Sequence, residues 1–267
     1  MSLRRIVIGD LHGNHRGLSQ LLKQVRYRRG QDLLIFVGDY NDHPPGSGGS
    51  VRLLIDLLIE LAHEAPDTVH FVRGNHDLWF AEWLQAGGAP DPIWVWSGGD
   101  ETLASYGIEP DDPDPTQVPA LHRQFIITTP VLSYLDNLMV VVHAGFRTPQ
   151  QMDAVAAGES LGPADIYDLT WDRRMLFAED EATHAQFTGA FGNRYLVAGH
   201  SPRGPWVNPR NDKWLLVDSP AKGKGLCAAV VSGPDSYEFA CVGPAKEAAP
   251  PLRRARRSMA VGGAGNL

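Results

Sequence analysis

The chain lacks most of what would place it in a specialised class. It has two cysteines, Cys227 and Cys241, among 267 residues. Two give neither a disulfide framework nor a zinc site with cysteine spacing, so a reducing compartment is the simpler expectation. No apolar run approaches the roughly 20 residues of a spanning helix. The run behind Arg4-Arg5 stops at Gly9-Asp10 and is too short for a secretory signal, so the expected location is cytoplasmic and off the membrane. A basic excess is also absent. Lys and Arg total 24 against 31 Asp and Glu, a formal charge of −7, which argues against stable nucleic-acid binding but not against a phosphorylated substrate.

What is present is a repeated unit. The β-branched run Ile6-Val7-Ile8 ends abruptly in Gly9-Asp10-Leu11-His12-Gly13. Leu18, Leu21, Leu22 and Val25 then mark an amphipathic helix. A second apolar run, 33–37, ends in Gly38-Asp39-Tyr40-Asn41-Asp42. Ser50 caps a helix whose face carries Val51, Leu54, Ile55 and Leu58. A third strand, 69–72, ends in Arg73-Gly74-Asn75-His76-Asp77. Strands alternating with helices predict an α/β layered fold.

Beyond this the texture varies. Residues 87–119, rich in Pro and Asp, read as an insertion outside the core, a lid or rim, with Trp94 and Trp96 as local packing. Residues 131–135 and 138–142 form a hairpin ending in His143-Ala144-Gly145. The stretch 151–180 is mostly helical, and strand 195–198 ends in Gly199-His200-Ser201-Pro202. Runs at 214–218, 226–231 and 236–242 read as closing strands of a second sheet. One domain is therefore expected over 1–243. The tail 244–267, with Arg253-Arg254-Ala255-Arg256-Arg257, reads as disordered. His15, His63, His70, His122 and His184 read as surface or satisfied residues.

Five strand ends thus carry ligand-type side chains: Asp10 with His12, Asp39 with Asp42, Asn75 with His76, His143, and His200. Carboxylate, imidazole and amide oxygen without thiolate suit Mn, Fe, Zn or similar ions and disfavour a structural zinc. So many candidates exceed one open site. Two ions sharing a carboxylate, roughly 3.5–4 Å apart, would use them.

As an ordered set these motifs resemble those of calcineurin-like metallophosphoesterases, and most closely the bacterial and phage branch of serine/threonine phosphatases and symmetrical diadenosine tetraphosphatases. Trp171-Asp172-Arg173 resembles the Trp-x-Arg of that branch. The resemblance implies a four-layer α-β-β-α sandwich of two mixed sheets flanked by helices, with a dinuclear metal site at the strand ends. It implies that Asp10 and His12 bind a first ion, that Asp39 bridges, and that Asn75, His143 and His200 complete the second. Manganese is the first choice of metal, with Fe, Zn, Ni or Co as alternatives. His76 would be the general acid, held protonated by Asp42, and Arg73, Arg173 and Asn75 would contact phosphate.

The implied reaction is hydrolysis of phosphate monoesters, phosphoserine and phosphothreonine foremost. The alternative is symmetrical dinucleoside polyphosphate hydrolysis, which needs an adenine shelf, from Tyr40, Trp171 or Trp206. A non-enzymatic phosphate-binding module is the third reading. The partner is a phosphorylated protein, nucleotide or small molecule. One departure stands out. The family's Asp-Arg-Gly is here Asp42-His43-Pro44, so one phosphate contact is missing or is supplied by His43.

Overall fold

The computed structural model describes residues 3–244 except Pro45, Ser160 and Glu179. The basic tail lies outside the described residues. Strands β1 (Arg4–Ile8), β2 (Asp32–Phe36) and β3 (Val69–Phe71) run parallel, joined by helices α1 (His15–Gln24) and α2 (Val51–Glu64). Helix α3 (Asn75–Ala86) follows at once. Then come α4 (Pro92–Trp94), α5 (Asp100–Ser105) and α6 (Ala120–Thr128). The hairpin is β4 (Ser133–Leu135) with β5 (Met139–Val142), as expected. Helices α7 (Pro149–Ala157), α8 (Pro163–Trp171) and α9 (Glu181–Phe191) lead to β6 (Tyr195–Ala198), β7 (Trp206–Asn208), β8 (Asn211–Leu216), β9 (Leu226–Gly233) and β10 (Ser236–Val242).

Two five-stranded mixed sheets result, in the orders β10-β9-β1-β2-β3 and β4-β5-β6-β8-β7. Alternation along the strands explains the layering. Val7, Ile35, Val37, Val141, Val197 and Leu215 face one another in the seam between sheets. Their sequence neighbours Ile6, Ile8, Leu34 and Phe36 pack outward against the face of α1 and α2. On the other side Val140, Val142, Leu196 and Leu216 pack against Met152, Leu169 and Phe187 of α7, α8 and α9. Central strands buried on both faces read as continuous apolar runs, as they do here. The four-layer α-β-β-α expectation holds.

Three expectations are corrected. Strands β9 and β10 do not close the second sheet. β9 pairs antiparallel with β1, so both belong to the first. Only β8 of the three runs, with β7 beside it, lies in the second. The two cysteines are not free. Cys227 and Cys241 stand directly opposite in the β9–β10 ladder, with Cα atoms 4.2 Å apart, and form a disulfide. An antiparallel register brings such side chains together, which a count of cysteines does not reveal. Finally, 87–119 is not outside the core. Its Asp and Pro residues start helices: Asp91 caps Pro92, and Asp114 caps a turn at Pro115. The segment buries Trp94, Leu103, Tyr106, Ile108 and Val118.

No helix among the described residues is long and apolar enough to cross a membrane.

Candidate metal centre

Six parallel strands, three from each sheet, deliver their C-terminal ends to one edge of the sandwich. β1, β2 and β3 bring Asp10, Asp39 and Asn75. β5, β6 and β8 bring His143, His200 and Asp218. Of the five non-glycine residues with positive φ among the described residues, four sit here: His12 at 41°, Asp39 at 54°, Asp42 at 63° and His200 at 62°. Such backbone costs about 1–3 kcal/mol each and persists where surrounding structure enforces it for function. Close approach also dictates glycine. A Cβ on Gly74 would stand 2.1 Å from Asp39 Oδ1, and one on Gly199 would stand 2.1 Å from Asp10 Oδ1.

Asp39 is the centre. His143 Nε2 lies 3.3 Å from its Oδ1, and His12 Nε2 and His76 Nε2 lie 3.6 and 4.0 Å from its Oδ2. One ligand atom each from His12, Asp39 and His76 falls within a 4.8 Å cluster, and so does one each from Asp39, His143 and His200. Asp39 is therefore common to two cation-sized groupings. Asp10 stands outside both. Its carboxylate accepts the His200 backbone N–H at 3.1 and 3.0 Å.

The imidazoles are aimed by backbone carbonyls. His12 Nδ1 bonds Asn41 O at 2.9 Å and His143 Nδ1 bonds Val37 O at 2.9 Å, which leaves each Nε2 facing inward. His143 Nε2 also lies 3.0 Å from Asn75 Oδ1. His200 Nε2 is buried with no hydrogen-bond partner among the described residues. A buried, unpaired imidazole nitrogen beside a shared carboxylate is what a cation site requires.

Electrostatics agree. Burial opposes charge on Asp39, yet His143, His76 and His12 hold its carboxyl well below the usual range. Burial likewise opposes charge on His143, but Asp39 and Asp10 raise it to about 9. His200 is pushed down to about 2 by burial and by His143. Burial lowers His12 well below its ordinary value. Asp10 is raised well above its ordinary value, first by burial and then by Asp218. A neutral His12 and a neutral His200 are in the protonation state that binds metal, and three buried carboxylates call for positive charge. The donor set thus fits two divalent cations.

Beside this cluster His76 Nδ1 lies 2.6 Å from Asp42 Oδ2. Asp42 is itself fixed by Trp94 Nε1, at 3.0 and 2.8 Å, and by Thr102 Oγ1, which donates at 2.5 Å. His76 Nε2 is left for the cavity, about 320 Å³ in volume, which Asp10, His12, Asp39, Asn75 and His200 also line.

The arginines divide. Arg173 lines the cavity, its guanidinium donating to Ser201 Oγ at 3.1 Å and His200 O at 3.2 Å. Arg73 does not. It donates to Ile127 O at 2.9 Å and Pro130 O at 3.2 Å, bracing the end of α6. His43 is buried away from the cavity, with Nδ1 near Ser47 Oγ and Pro44 O and Nε2 facing Glu101 at 3.8 Å. Of the three shelf candidates only Trp171 lines the cavity. The Tyr40 hydroxyl is buried on Val72 O at 2.6 Å, and Trp206 packs on Phe177.

Four contributors escaped the sequence reading. Asp77 accepts from Asp39 N at 2.9 Å, Tyr40 N at 2.8 Å and Gly74 N at 2.8 Å, so it moulds the Asp39 turn. Burial and Asp39 raise it to about 7. Asp218 ends β8 by the same rule as the other strands, an apolar run closing on a carboxylate, but without a neighbouring Gly or His to flag it. Lys222 and Trp79 carried no sequence signal.

A family model described as calcineurin-like phosphoesterase matches residues 3–204. This chain belongs to the calcineurin-like phosphoesterase family. It is 42% identical over 72 residues to the symmetrical bis(5'-nucleosyl)-tetraphosphatase of Enterobacter sp. (strain 638), covering 27% of this chain and 23% of that protein. It is 32% identical over 94 residues to serine/threonine-protein phosphatase 1 of Salmonella typhimurium, covering 35% of this chain and 38% of that one. The chain thus spans less than two-fifths of the length of these relatives. A solved structure assigned as a diadenosine tetraphosphatase shares the fold at TM-score 0.58 and 21% identity, covering 91% of this chain and 94% of that one. A cold-active protein tyrosine phosphatase mutant does so at 0.59 and 17% identity, covering 90% of this chain and 80% of the other.

Proposed function

We propose that this calcineurin-like phosphoesterase hydrolyses phosphate monoesters, phosphoserine and phosphothreonine peptides among them, with two divalent cations. The observation that carries the reading is Asp39, common to the His12–His76 and the His143–His200 groupings, with the His76–Asp42 pair at the rim of the same cavity. His12 and Asp10 would hold one cation, Asn75, His143 and His200 the other, and Asp39 both. Manganese is the first candidate. Such cations neutralise an anionic ester and make water acidic enough to be a nucleophile at neutral pH.

The rest falls to side chains. Asp42 accepts from His76 Nδ1 and so fixes the ring with Nε2 toward the cavity. Nε2 then donates its proton to the departing alkoxide oxygen, which needs it most when the leaving alcohol is weakly acidic. Arg173, anchored by Ser201 and His200, offers its remaining N–H groups to phosphate oxygens.

A second reading, dinucleoside polyphosphate hydrolysis, is supported by the aromatic wall. Trp79 and Trp171 meet edge to face at 5.3 Å, Tyr167 stacks on Trp171 at 6.0 Å, and Trp96, 87% exposed, stands at the mouth. Exposed aromatics bordering a phosphate site suit a nucleobase. Assaying manganese-loaded protein on p-nitrophenyl phosphate, a phosphopeptide and diadenosine tetraphosphate separates the readings. Turnover of the phosphopeptide above the dinucleotide supports the first, the reverse order supports the second, and no turnover of any refutes both.

A further inference from the structure

Lys222 lies outside the regular strands and helices and, among the described residues, is one of two cationic side chains at the site. It lies in the segment 219–225 between β8 and β9, and its side chain lines the same cavity as Arg173 and His200. Its ammonium makes no hydrogen bond or ion pair among the described residues. A half-buried lysine without an acceptor, facing a phosphate-sized cavity, is poised for an anion.

The place of this segment matters. A Cβ on Gly223 would stand 3.3 Å from His12 O and 2.5 Å from Pro44 Cδ, so the turn is seated on the loop bearing His43. His43 does not enter the cavity, and Arg73 is engaged by carbonyls of Ile127 and Pro130. Arg173 and Lys222 are the only lysine or arginine side chains lining the cavity among the described residues, and Arg173 is partly committed to Ser201 and His200.

We propose that Lys222 is a phosphate-binding residue, its ammonium binding a non-bridging oxygen of the substrate phosphate together with Arg173. The inference rests on the phosphoesterase reading. An ammonium is a compact point charge rather than a planar fork, so Lys222 contributes attraction and Arg173 the orientation.

Inorganic phosphate is the probe. Its dissociation constant is measured by calorimetry, and its inhibition of p-nitrophenyl phosphate hydrolysis by kinetics, with metal content determined for each manganese-loaded variant. Lys222→Met should weaken phosphate binding and raise KM about tenfold with metal content unchanged. Lys222→Arg should restore most of it, and exposed Lys224→Met, with the same change in charge, should match wild type. Unchanged phosphate binding in Lys222→Met, loss of metal in that variant, or equal weakening by Lys224→Met would overturn the assignment. Wild-type protein that binds phosphate but hydrolyses nothing would sink the phosphoesterase reading while calorimetry still judges Lys222. Wild-type protein that binds no phosphate overturns both.

Discussion

Trp94 Nε1 donates to both carboxylate oxygens of Asp42, at 3.0 and 2.8 Å. Trp94 is fully buried and Asp42 holds the imidazole of His76, so a segment that reads as a rim reaches the acid–base pair from behind. Thr102 adds a second tie, donating to Asp42 Oδ1 and accepting from Asp42 N at 2.8 Å.

Removing either tie should therefore affect proton donation and leave metal binding intact. Thr102→Val is expected to lower turnover of a phosphopeptide about tenfold, the size of one hydrogen bond to a charged group. The p-nitrophenyl ester, whose leaving group needs little protonation, should change much less. Equal losses on the two substrates would show that Thr102 acts only on folding.

The acid itself should show the same contrast more strongly. His76→Asn is expected to lose about 10²–10⁴-fold on alkyl phosphates, the usual range for a general acid. Its metal content should match wild type. Equal rates of mutant and wild type on a phosphopeptide would remove His76 from the acid role. Loss of an ion would instead make His76 a ligand, which its place beside His12 and Asp39 also permits.

Far from the site, Asp32 supplies a pH signature. Its side chain is fully buried, and Arg4 and Arg28 bind it at 2.7 and 2.6 Å. Burial opposes its charge, but hydrogen bonds from Arg28 and Arg4 lower its pKa to about 2. A folded value below the unfolded one gives stability present above about pH 4 and lost as pH falls from about 4 to 2. Asp32→Asn should cost about 1–2 kcal/mol at neutral pH, discounted because the Arg28 side chain is half exposed. The gap between wild type and mutant should narrow steadily as pH falls from about 4 through 2 in urea unfolding. A gap constant down to pH 2 would contradict the ion-pair account.

The strand ends were legible because a parallel sheet imposes one rule: apolar run, tight turn, ligand. Asp10, His12, Asp39, Asn75, His143 and His200 all obey it and all meet at one edge of the sandwich. Asp218 obeys it too, but a lone Asp after an apolar run is an ordinary strand end in sequence. Arg73 was misplaced because adjacency to Gly74 and Asn75 says nothing about the direction of a long side chain, which here turns to the carbonyls ending α6. The Cys227–Cys241 pair and the sheet membership of β9 depend on register across the chain, which local pattern does not encode. Residues 87–119 misled because Asp-Pro texture marks helix starts as well as loops.

Among the described residues, Asp39 is the one carboxylate that would serve both cations. Metal analysis of manganese-loaded wild type and Asp39→Asn measures this directly. The expected result is two ions per chain in wild type and at most one in the variant, with phosphate-ester hydrolysis lost. Two ions retained by Asp39→Asn would contradict the shared-carboxylate centre.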